Sequence, residues 1–327
     1  MEVEEQLSPG ESPFLPLTRS IEKLRVEIHQ VIVGQDQMID QLLVALLTNG
    51  HILLEGVPGI AKTLTAKLFA KTISVGFSRI QFTPDLMPTD VLGTSVFNLK
   101  DSEFTFKQGP IFSNLILIDE INRAPAKTQA ALFEVMEETQ VTVDGKTYPM
   151  EFPFLVLATQ NPIEQEGTYK LPEAQLDRFL FKVNLRYPSL DEEKTILKKF
   201  NEDFQLDSNV EIEPVLDSGE IKRYQELVET VHIKEELLAY IADIVHNTRE
   251  NGNVYLGASP RASLAIMKSA KAMAAINSRP YVIPEDIQNA CYPVLNHRLI
   301  LTAEKEMEGL EVEGVIKDII HEIEVPR

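Results

Sequence analysis

The 327-residue chain has little of three features that each mark a class of protein. Its one cysteine, Cys291, permits no internal disulfide and no zinc site built on thiols. No apolar run approaches the roughly 18 residues that a membrane-spanning helix needs, and the acidic start Met1–Glu5 is unlike a secretory signal. These shortages predict a cytoplasmic protein without a membrane span.

Positive charge is also scarce, since 31 Lys and Arg stand against 50 Asp and Glu, for a formal net charge of −19. Non-specific binding of nucleic acid depends on cations that neutralise phosphates. The composition therefore argues against nucleic acid as the main partner, although one part of the surface could be basic while the net charge of the whole chain is negative.

A glycine-bearing turn follows the apolar run His51–Glu55, and its sequence is Gly-Val-Pro-Gly-Ile-Ala-Lys-Thr. Backbone amides of such a turn, with the N-terminus of the helix that follows, cradle a polyphosphate. Lys62 would reach the β- and γ-phosphates, and the Thr63 hydroxyl would bind Mg²⁺. The general motif has glycine where Ala61 stands, and we expect the loop to tolerate Ala61 if its φ is negative. The predicted phosphate-binding residues are Gly56, Val57, Pro58, Gly59, Ile60, Ala61, Lys62, Thr63 and Leu64.

Two acids, Asp119 and Glu120, end the apolar run that begins at Asn114. An unbroken apolar run is typical of a parallel strand covered on both faces. Ligands bind outside the carboxyl ends of such strands. We therefore expect Asp119 in the Mg²⁺ shell and Glu120 as the base that polarises the attacking water.

A third strand, predicted at residues 154–158, leads to Asn161, whose amide could hold the attacking water. Arg178 precedes a fourth strand at residues 179–185 and could stabilise transition-state charge on a neighbouring subunit's nucleotide. Each residue has a structural alternative. Asn161 could simply start a turn before Pro162, and Arg178 could pair with a helix dipole or a surface acid.

These stretches together resemble the MoxR family of AAA+ ATPases, over about residues 20 to 325. The resemblance implies an α/β fold, in which a five-stranded parallel sheet flanked by helices forms the P-loop domain and a small all-helical lid follows. It assigns Lys62 and Thr63 to Walker A, and Asp119 and Glu120 to Walker B. By the same resemblance, Asn161 is sensor 1, Arg178 the arginine finger and Arg261 the sensor 2 arginine, while Val33 and Gly34 flank the adenine.

Two hairpins are predicted in the first domain. The aromatic and β-branched runs at residues 95–97 and 103–106 flank a polar turn, and Asp144-Gly145 joins a second pair of runs through a type I′ turn. The first hairpin is similar to the helix-2 insert of a branch that includes magnesium-chelatase-like motors. Both hairpins could line a central pore, or both could simply cap the sheet.

Three segments follow from composition and helix signals. Residues 1–16 are rich in Glu, Pro and Ser and predict a flexible arm. The nucleotide-binding domain is expected over residues 17–186, and a helical lid over residues 187–327, beginning with a capping box at Ser189 and Glu192.

The family resemblance implies an ATPase that binds ATP and Mg²⁺ in a homo-oligomer, most often a hexamer. It implies a chaperone that matures protein complexes or helps insert metal cofactors, with a von Willebrand factor A domain protein as partner. Three alternatives remain: a nucleic-acid motor, a nucleotide-gated scaffold and a metabolic kinase. Stimulation by single-stranded DNA would favour the motor, and a functional Glu120→Gln variant would favour the scaffold. The protein client is not specified by the sequence.

Overall fold

The computed structural model describes residues 12–57, 59–100, 102–161, 169–203 and 210–326. They form two compact units, residues 27–218 (the sheet unit) and residues 12–26 with 219–326 (the helical unit). In this division residues 187–218 belong to the sheet unit. The sequence analysis predicted the domain boundary after residue 186. None of the helices in the described ranges is both long and apolar enough to cross a membrane.

The elements are numbered along the chain. The strands are β1 Ile52–Glu55, β2 Phe77–Gln81, β3 Gly93–Asn98, β4 Glu103–Gln108, β5 Leu115–Asp119, β6 Gln140–Val143, β7 Lys146–Pro149, β8 Leu155–Gln160, β9 Phe181–Asn184, β10 Val254–Leu256 and β11 Ile300–Leu301. The helices are α1 Leu15–His29, α2 Asp36–Thr48, α3 Lys62–Thr72, α4 Pro88–Leu92, α5 Ala126–Glu138, α6 Glu173–Leu176, α7 Leu190–Glu202, α8 Ser218–Glu229, α9 Glu235–Glu250, α10 Pro260–Ile276, α11 Pro284–Leu295, α12 Ala303–Met307 and α13 Val312–Glu322.

The core of the sheet unit is a five-stranded parallel sheet with the strand order β2-β5-β8-β1-β9. All residues of β5 are buried, as are the first five of β8, because parallel strands are covered on both faces. The four strands predicted from apolar runs are confirmed, and so is the predicted fold class of the first domain.

Both predicted hairpins are present. In the first, β3 pairs with β4 and places Phe97 opposite Phe104. In the second, Asp144 and Gly145 have φ values of 51° and 76°, which confirms the type I′ turn. The hairpins also contact each other, since the rings of Phe106 and Tyr148 stack with centroids 4.4 Å apart.

The helical unit confirms the helices predicted near residues 234–249, 263–277 and 284 onward. It also contains the antiparallel pair β10–β11, which was not predicted because strands of three and two residues leave no periodic pattern. Of the flexible arm expected over residues 1–16, residues 1–11 lie outside the described residues. From Ser12 the chain is packed, with Phe14 only 2% exposed, ahead of the predicted boundary at residue 17.

His51, directly before β1, forms hydrogen bonds to β8 and to α5. Its Nδ1 accepts a hydrogen bond from the Val156 amide at 3.1 Å, and its Nε2 lies 3.1 Å from the Met136 carbonyl oxygen. One nitrogen accepts and the other donates, so the neutral tautomer protonated at Nε2 satisfies both contacts. Burial lowers the pKa of His51 from 6.5 to about 4, against the smaller opposing effect of the Met136 hydrogen bond.

His51 should therefore make folding stability depend on pH. Because its pKa is depressed in the folded state, its contribution is complete above pH 6.5 and is lost as the pH falls toward 4, by at most about 3 kcal/mol. Urea unfolding at pH 7 and pH 5 measures this, with His51→Gln as the comparison. We expect the variant to be less stable at pH 7 and less sensitive to pH. Equal pH dependence of the two chains would contradict the assignment.

Candidate active site

A cavity of about 610 Å³ lies within the sheet unit, where β1, β5 and β8 end. This size is typical of a site for a small-molecule ligand. Residues from all three predicted motifs line it, together with the adenine-flanking segment. The predicted residues on its surface are Val33, Gly56, Gly59, Ile60, Ala61, Lys62, Thr63, Leu64, Asp119, Glu120 and Asn161.

The loop between β1 and α3 holds the first motif. Lys62 Nζ donates to the carbonyl oxygen of Gly56 at 2.8 Å, so the amine folds back over its own loop. Burial lowers the pKa of Lys62, while the charges of Asp119 and Glu120 oppose that shift. The same two acids therefore lie close enough to Lys62 to favour its ammonium form.

Ala61 departs from the sequence-based expectation. The loop was expected to tolerate alanine if φ were negative, but φ is +59° and ψ is +20°, so the loop forms without meeting that condition. The loop turns into α3 at this residue through the left-handed region, which is why the general motif has glycine there. The alanine methyl costs about 1–2 kcal/mol in this conformation, and the neighbouring structure maintains it.

Asp119 lies at the end of β5 and is 8% exposed. Its Oδ2 accepts a hydrogen bond from Arg79 Nε at 2.6 Å, and its Oδ1 accepts one from the Thr159 hydroxyl at 3.3 Å. The Arg79 guanidinium thus places positive charge where the sequence predicts a metal ligand.

Glu120 follows directly with φ of 58°, a left-handed conformation that turns the chain out of β5. Its amide donates to Thr159 Oγ1 at 3.0 Å, so one hydroxyl on β8 fixes both acids. The Glu120 carboxylate Oε2 accepts from Gln81 Nε2 at 2.8 Å and pairs with Arg123 Nε at 3.0 Å. Glu120 is therefore oriented by donors from β2 and from the turn after β5.

The donor set fits Mg²⁺ when a nucleotide supplies further oxygens. The Thr63 hydroxyl and the Asp119 carboxylate line the same cavity, and Mg²⁺ usually takes one or two protein oxygens with phosphates and water. Over the described ranges no group of three or more His, Cys, Asp or Glu side chains could hold a metal ion. The arrangement therefore suits an ion that arrives with a polyphosphate.

The cavity surface also includes apolar side chains. Val31, Ile32 and Val33 reach it from the segment between α1 and α2, and Ile196 and Phe200 reach it from α7. A flat, apolar ring system and a polyphosphate would each meet suitable chemistry, because the lining includes both apolar and charged side chains.

Five predicted residues, Arg178 among them, are not described on the cavity surface. Gly34, with φ of 69°, and Val57 belong to segments that line the cavity without lining it themselves. Pro58 lies outside the described residues, as do residues 162–168, which follow Asn161. Arg261 begins α10 in the helical unit, where its amide donates to Ser259 Oγ at 3.2 Å.

Arg178 is bound to its own chain. Its Nη1 donates to the Phe133 carbonyl oxygen at 2.5 Å and lies 3.0 Å from Glu137 Oε2, both on α5. Among the described residues, the cavity surface does not include Arg178. Within one chain it pairs with an acid at a helix C-terminus, which matches the structural alternative stated from sequence.

Comparison with known proteins agrees with this geometry. Residues 51–181 match the family model described as the ATPase family associated with various cellular activities (AAA), and residues 246–321 match the AAA lid domain. The chain is 44% identical to the chaperone MoxR1 of Mycobacterium tuberculosis, over 94% of this chain and 83% of that protein. The chain belongs to the MoxR family of AAA+ ATPases.

Two further proteins are similar to this chain over most of its length. An uncharacterised protein of Bacillus subtilis, YeaC, is 46% identical over 91% of this chain and 92% of its own length. A crystal structure from Cytophaga hutchinsonii, provisionally assigned as an ATPase, superposes with a TM-score of 0.88 at 44% identity. It covers 96% of this chain and 97% of its own.

Sequence reasoning missed the cavity residues outside the motifs of this MoxR-family chain. Thr159 directly follows the apolar run of β8, so its place beside Asn161 was a usable signal. Arg79 and Gln81 alternate along the edge strand β2, which carries no strong apolar pattern. The missed residues are Val31, Ile32, Arg79, Gln81, Thr159, Pro188, Ile196 and Phe200, whereas Gln35, which also lines the cavity, belongs to the segment from Val33 to Gln35 that the resemblance places beside the adenine.

Replacing Ala61 with glycine should relieve its left-handed backbone at some cost in unfolded-state entropy. We expect Ala61→Gly to leave stability unchanged or raised by up to about 1 kcal/mol. Ala130→Gly, at an exposed position within α5, is the control and should lose about 1 kcal/mol. Thermal unfolding of both variants measures the difference, and equal losses would contradict the conformation found at Ala61.

Arg79 should compete with Mg²⁺ for Asp119. We expect Arg79→Gln to reach half-maximal binding of a fluorescent ATP analogue at a lower Mg²⁺ concentration, because one cation beside Oδ2 is removed. The comparison is Arg123→Gln, which removes a cation from Glu120 but leaves Asp119 paired. An unchanged or increased Mg²⁺ requirement in Arg79→Gln would contradict this competition.

Proposed function

We propose that this chain hydrolyses ATP in the cavity and uses the reaction to remodel protein complexes. The observation that carries the proposal is that Lys62, Asp119 and Glu120, which lie close enough to interact electrostatically, line the same cavity as a set of apolar residues. A scaffold that only bound nucleotide would need no carboxylate placed like that of Glu120.

The reaction is attack of water on the γ-phosphorus of ATP, which forms a new phosphorus–oxygen bond and breaks the bond to the β,γ-bridging oxygen. Glu120 accepts a proton from the water as it attacks. Asn161 orients that water by a hydrogen bond, and Lys62 stabilises the charge that develops on the β- and γ-oxygens. Mg²⁺ held by Thr63 and Asp119 would supply further neutralisation of the phosphates.

We further propose that the site is completed in an oligomer, most simply a hexameric ring. Arg178 would leave its contact with Glu137 and approach the nucleotide of the adjacent subunit. Arg261 of the lid would act on its own or a neighbouring nucleotide. An arginine supplied in this way contributes about 10³- to 10⁵-fold in rate, so an isolated subunit should be nearly inactive.

The hairpin of β3 and β4 is the proposed contact with the client. Phe97 and Phe104 form an edge-to-face pair with centroids 5.2 Å apart, and both are largely exposed, as is Leu99 at the turn. Exposed aromatic and aliphatic side chains of this kind favour a protein client over a nucleic acid. Contact with the second hairpin through Phe106 and Tyr148 would let the two hairpins move together.

The cellular role rests on relatives and family resemblance. MoxR1 of Mycobacterium tuberculosis is named a chaperone, and we propose the same class of activity here. Insertion of metal cofactors and partnership with a von Willebrand factor A domain protein are proposed on resemblance alone. A cytoplasmic location stays a prediction.

Steady-state ATP turnover per chain, measured over a wide range of protein concentration, tests the shared site. Turnover should rise and saturate, and Arg178→Ala should remain about 10³-fold lower throughout. Glu137→Gln is the matched control, because it removes the partner of Arg178 and keeps the guanidinium, so its turnover should persist.

Mixing two inactive variants sharpens the test. Arg178→Ala with Glu120→Gln should regain part of the turnover, since each chain supplies the residue that the other lacks. Appreciable turnover that does not depend on concentration would contradict the shared site. Strong stimulation by single-stranded DNA would support a nucleic-acid motor instead.

A further inference from the structure

The last turn of α1 is bound by a lysine from another helix. Lys199 on α7 donates from Nζ to the carbonyl oxygens of His29 at 2.7 Å and Gln30 at 3.1 Å. Carbonyl groups at a helix C-terminus lack helical partners, and a cation there also complements the helix dipole. Lys199 is half-buried, so its ammonium group forms these contacts in a partly desolvated environment.

These two carbonyl groups begin the segment that forms one apolar wall of the cavity. Val31, Ile32 and Val33 follow them and line the cavity, whereas Lys199 does not. Their positions depend on where the preceding residues are held, because only a few backbone bonds separate Gln30 from Val33.

The same helix contacts the far end of this segment. A side chain at Gly34 would come within 2.5 Å of Glu192 Oε1, so that carboxylate lies directly against the glycine. Glu192 is itself fixed by the capping box of α7, in which the Ser189 amide donates to Oε2 at 2.6 Å. The helix α7 therefore holds residues 29–34 at both ends.

His29 makes further contacts within and just beyond residues 29–34. His29 Nδ1 lies 3.3 Å from the Ile32 carbonyl oxygen, and His29 Nε2 lies 3.0 Å from Asp36 Oδ1. His29 thus connects the end of α1 to the start of α2, and Lys199 attaches this connection to α7. Two further apolar residues of the cavity surface, Ile196 and Phe200, are on α7 itself.

We propose that Lys199 is a positioning residue that sets the affinity of the cavity for the nucleotide base, by holding residues 29–34 against α7. The proposal rests on the proposed nucleotide-binding function. Lys199 acts through the segment that carries apolar residues of the cavity surface, and its hydrogen bonds go to His29 and Gln30 rather than to Lys62, Asp119 or Glu120. Its loss should therefore raise Kd and KM and leave kcat unchanged, as expected when binding in the ground and transition states is weakened equally.

The test uses a fluorescent ATP analogue with Mg²⁺ and the full chain. Lys199→Met should raise the Kd of the analogue about tenfold, as expected when hydrogen bonds from a charged donor are lost. Lys198→Met is the matched control, because Lys198 is the exposed neighbour on the same helix, and its Kd should stay within about twofold. Lys199→Arg should retain most of the affinity, since a guanidinium can still donate to both carbonyl groups.

Hydrogen exchange of the nucleotide-free chains gives a readout independent of activity. The amides of residues 31–35 should exchange faster in Lys199→Met than in Lys198→Met. Should Lys199→Met fold poorly, Lys199→Gln replaces it, because its uncharged amide NH₂ group can still donate and should give an intermediate Kd.

Equal Kd values for Lys199→Met and Lys198→Met, or a loss of kcat at unchanged Kd, would overturn the proposal. Failure of the unsubstituted chain to bind the analogue would instead overturn the proposed function. The two failures are distinguishable because the second appears before any substitution is made at Lys199.

Discussion

Backbone hydrogen bonds of β8 to β1 on one side and β5 on the other determine where the chemical groups meet. The three strands are parallel and adjacent in the order β5-β8-β1, so their carboxyl ends share one edge of the sheet. The phosphate loop follows β1, the acidic pair ends β5, and Asn161 follows β8. Residues separated by about a hundred positions in sequence therefore surround a single cavity.

The carboxylates of that cavity are each accompanied by a cation. Asp119 is paired with Arg79, and Glu120 with Arg123, while Lys62 lies near both acids. Burial of a charge is costly unless a partner accompanies it, so the pairing allows two carboxylates and an ammonium group to share a partly buried site. A bound polyphosphate and its cation would exchange these partners rather than enter an uncharged cavity.

Motif residues and buried strands could be predicted because their patterns are local. The run from Asn114 to Glu120 contains both the strand and its chemistry, and Asp144-Gly145 specifies its turn by backbone preference. The conformation of Ala61 could not be predicted, because its positive φ is imposed by the tertiary position of the loop.

Other parts of the site depend on contacts between distant segments. Ile196 and Phe200 look like one face of an ordinary amphipathic helix, and only the packing of α7 beside residues 29–34 makes them part of the cavity. Arg79 is on an edge strand whose sequence, Phe-Ser-Arg-Ile-Gln, has no feature that indicates a partner on β5. Roles of this kind require the fold to be known first.

Calorimetric titration of the Glu120→Gln chain with ATP and Mg²⁺ tests the central claim most directly, because binding is then observed without turnover. The account predicts one ATP bound per chain, and no detectable binding when Lys62 is also replaced by alanine. Absence of binding to Glu120→Gln, or equal binding after loss of Lys62, would contradict the assignment of this cavity as the nucleotide site.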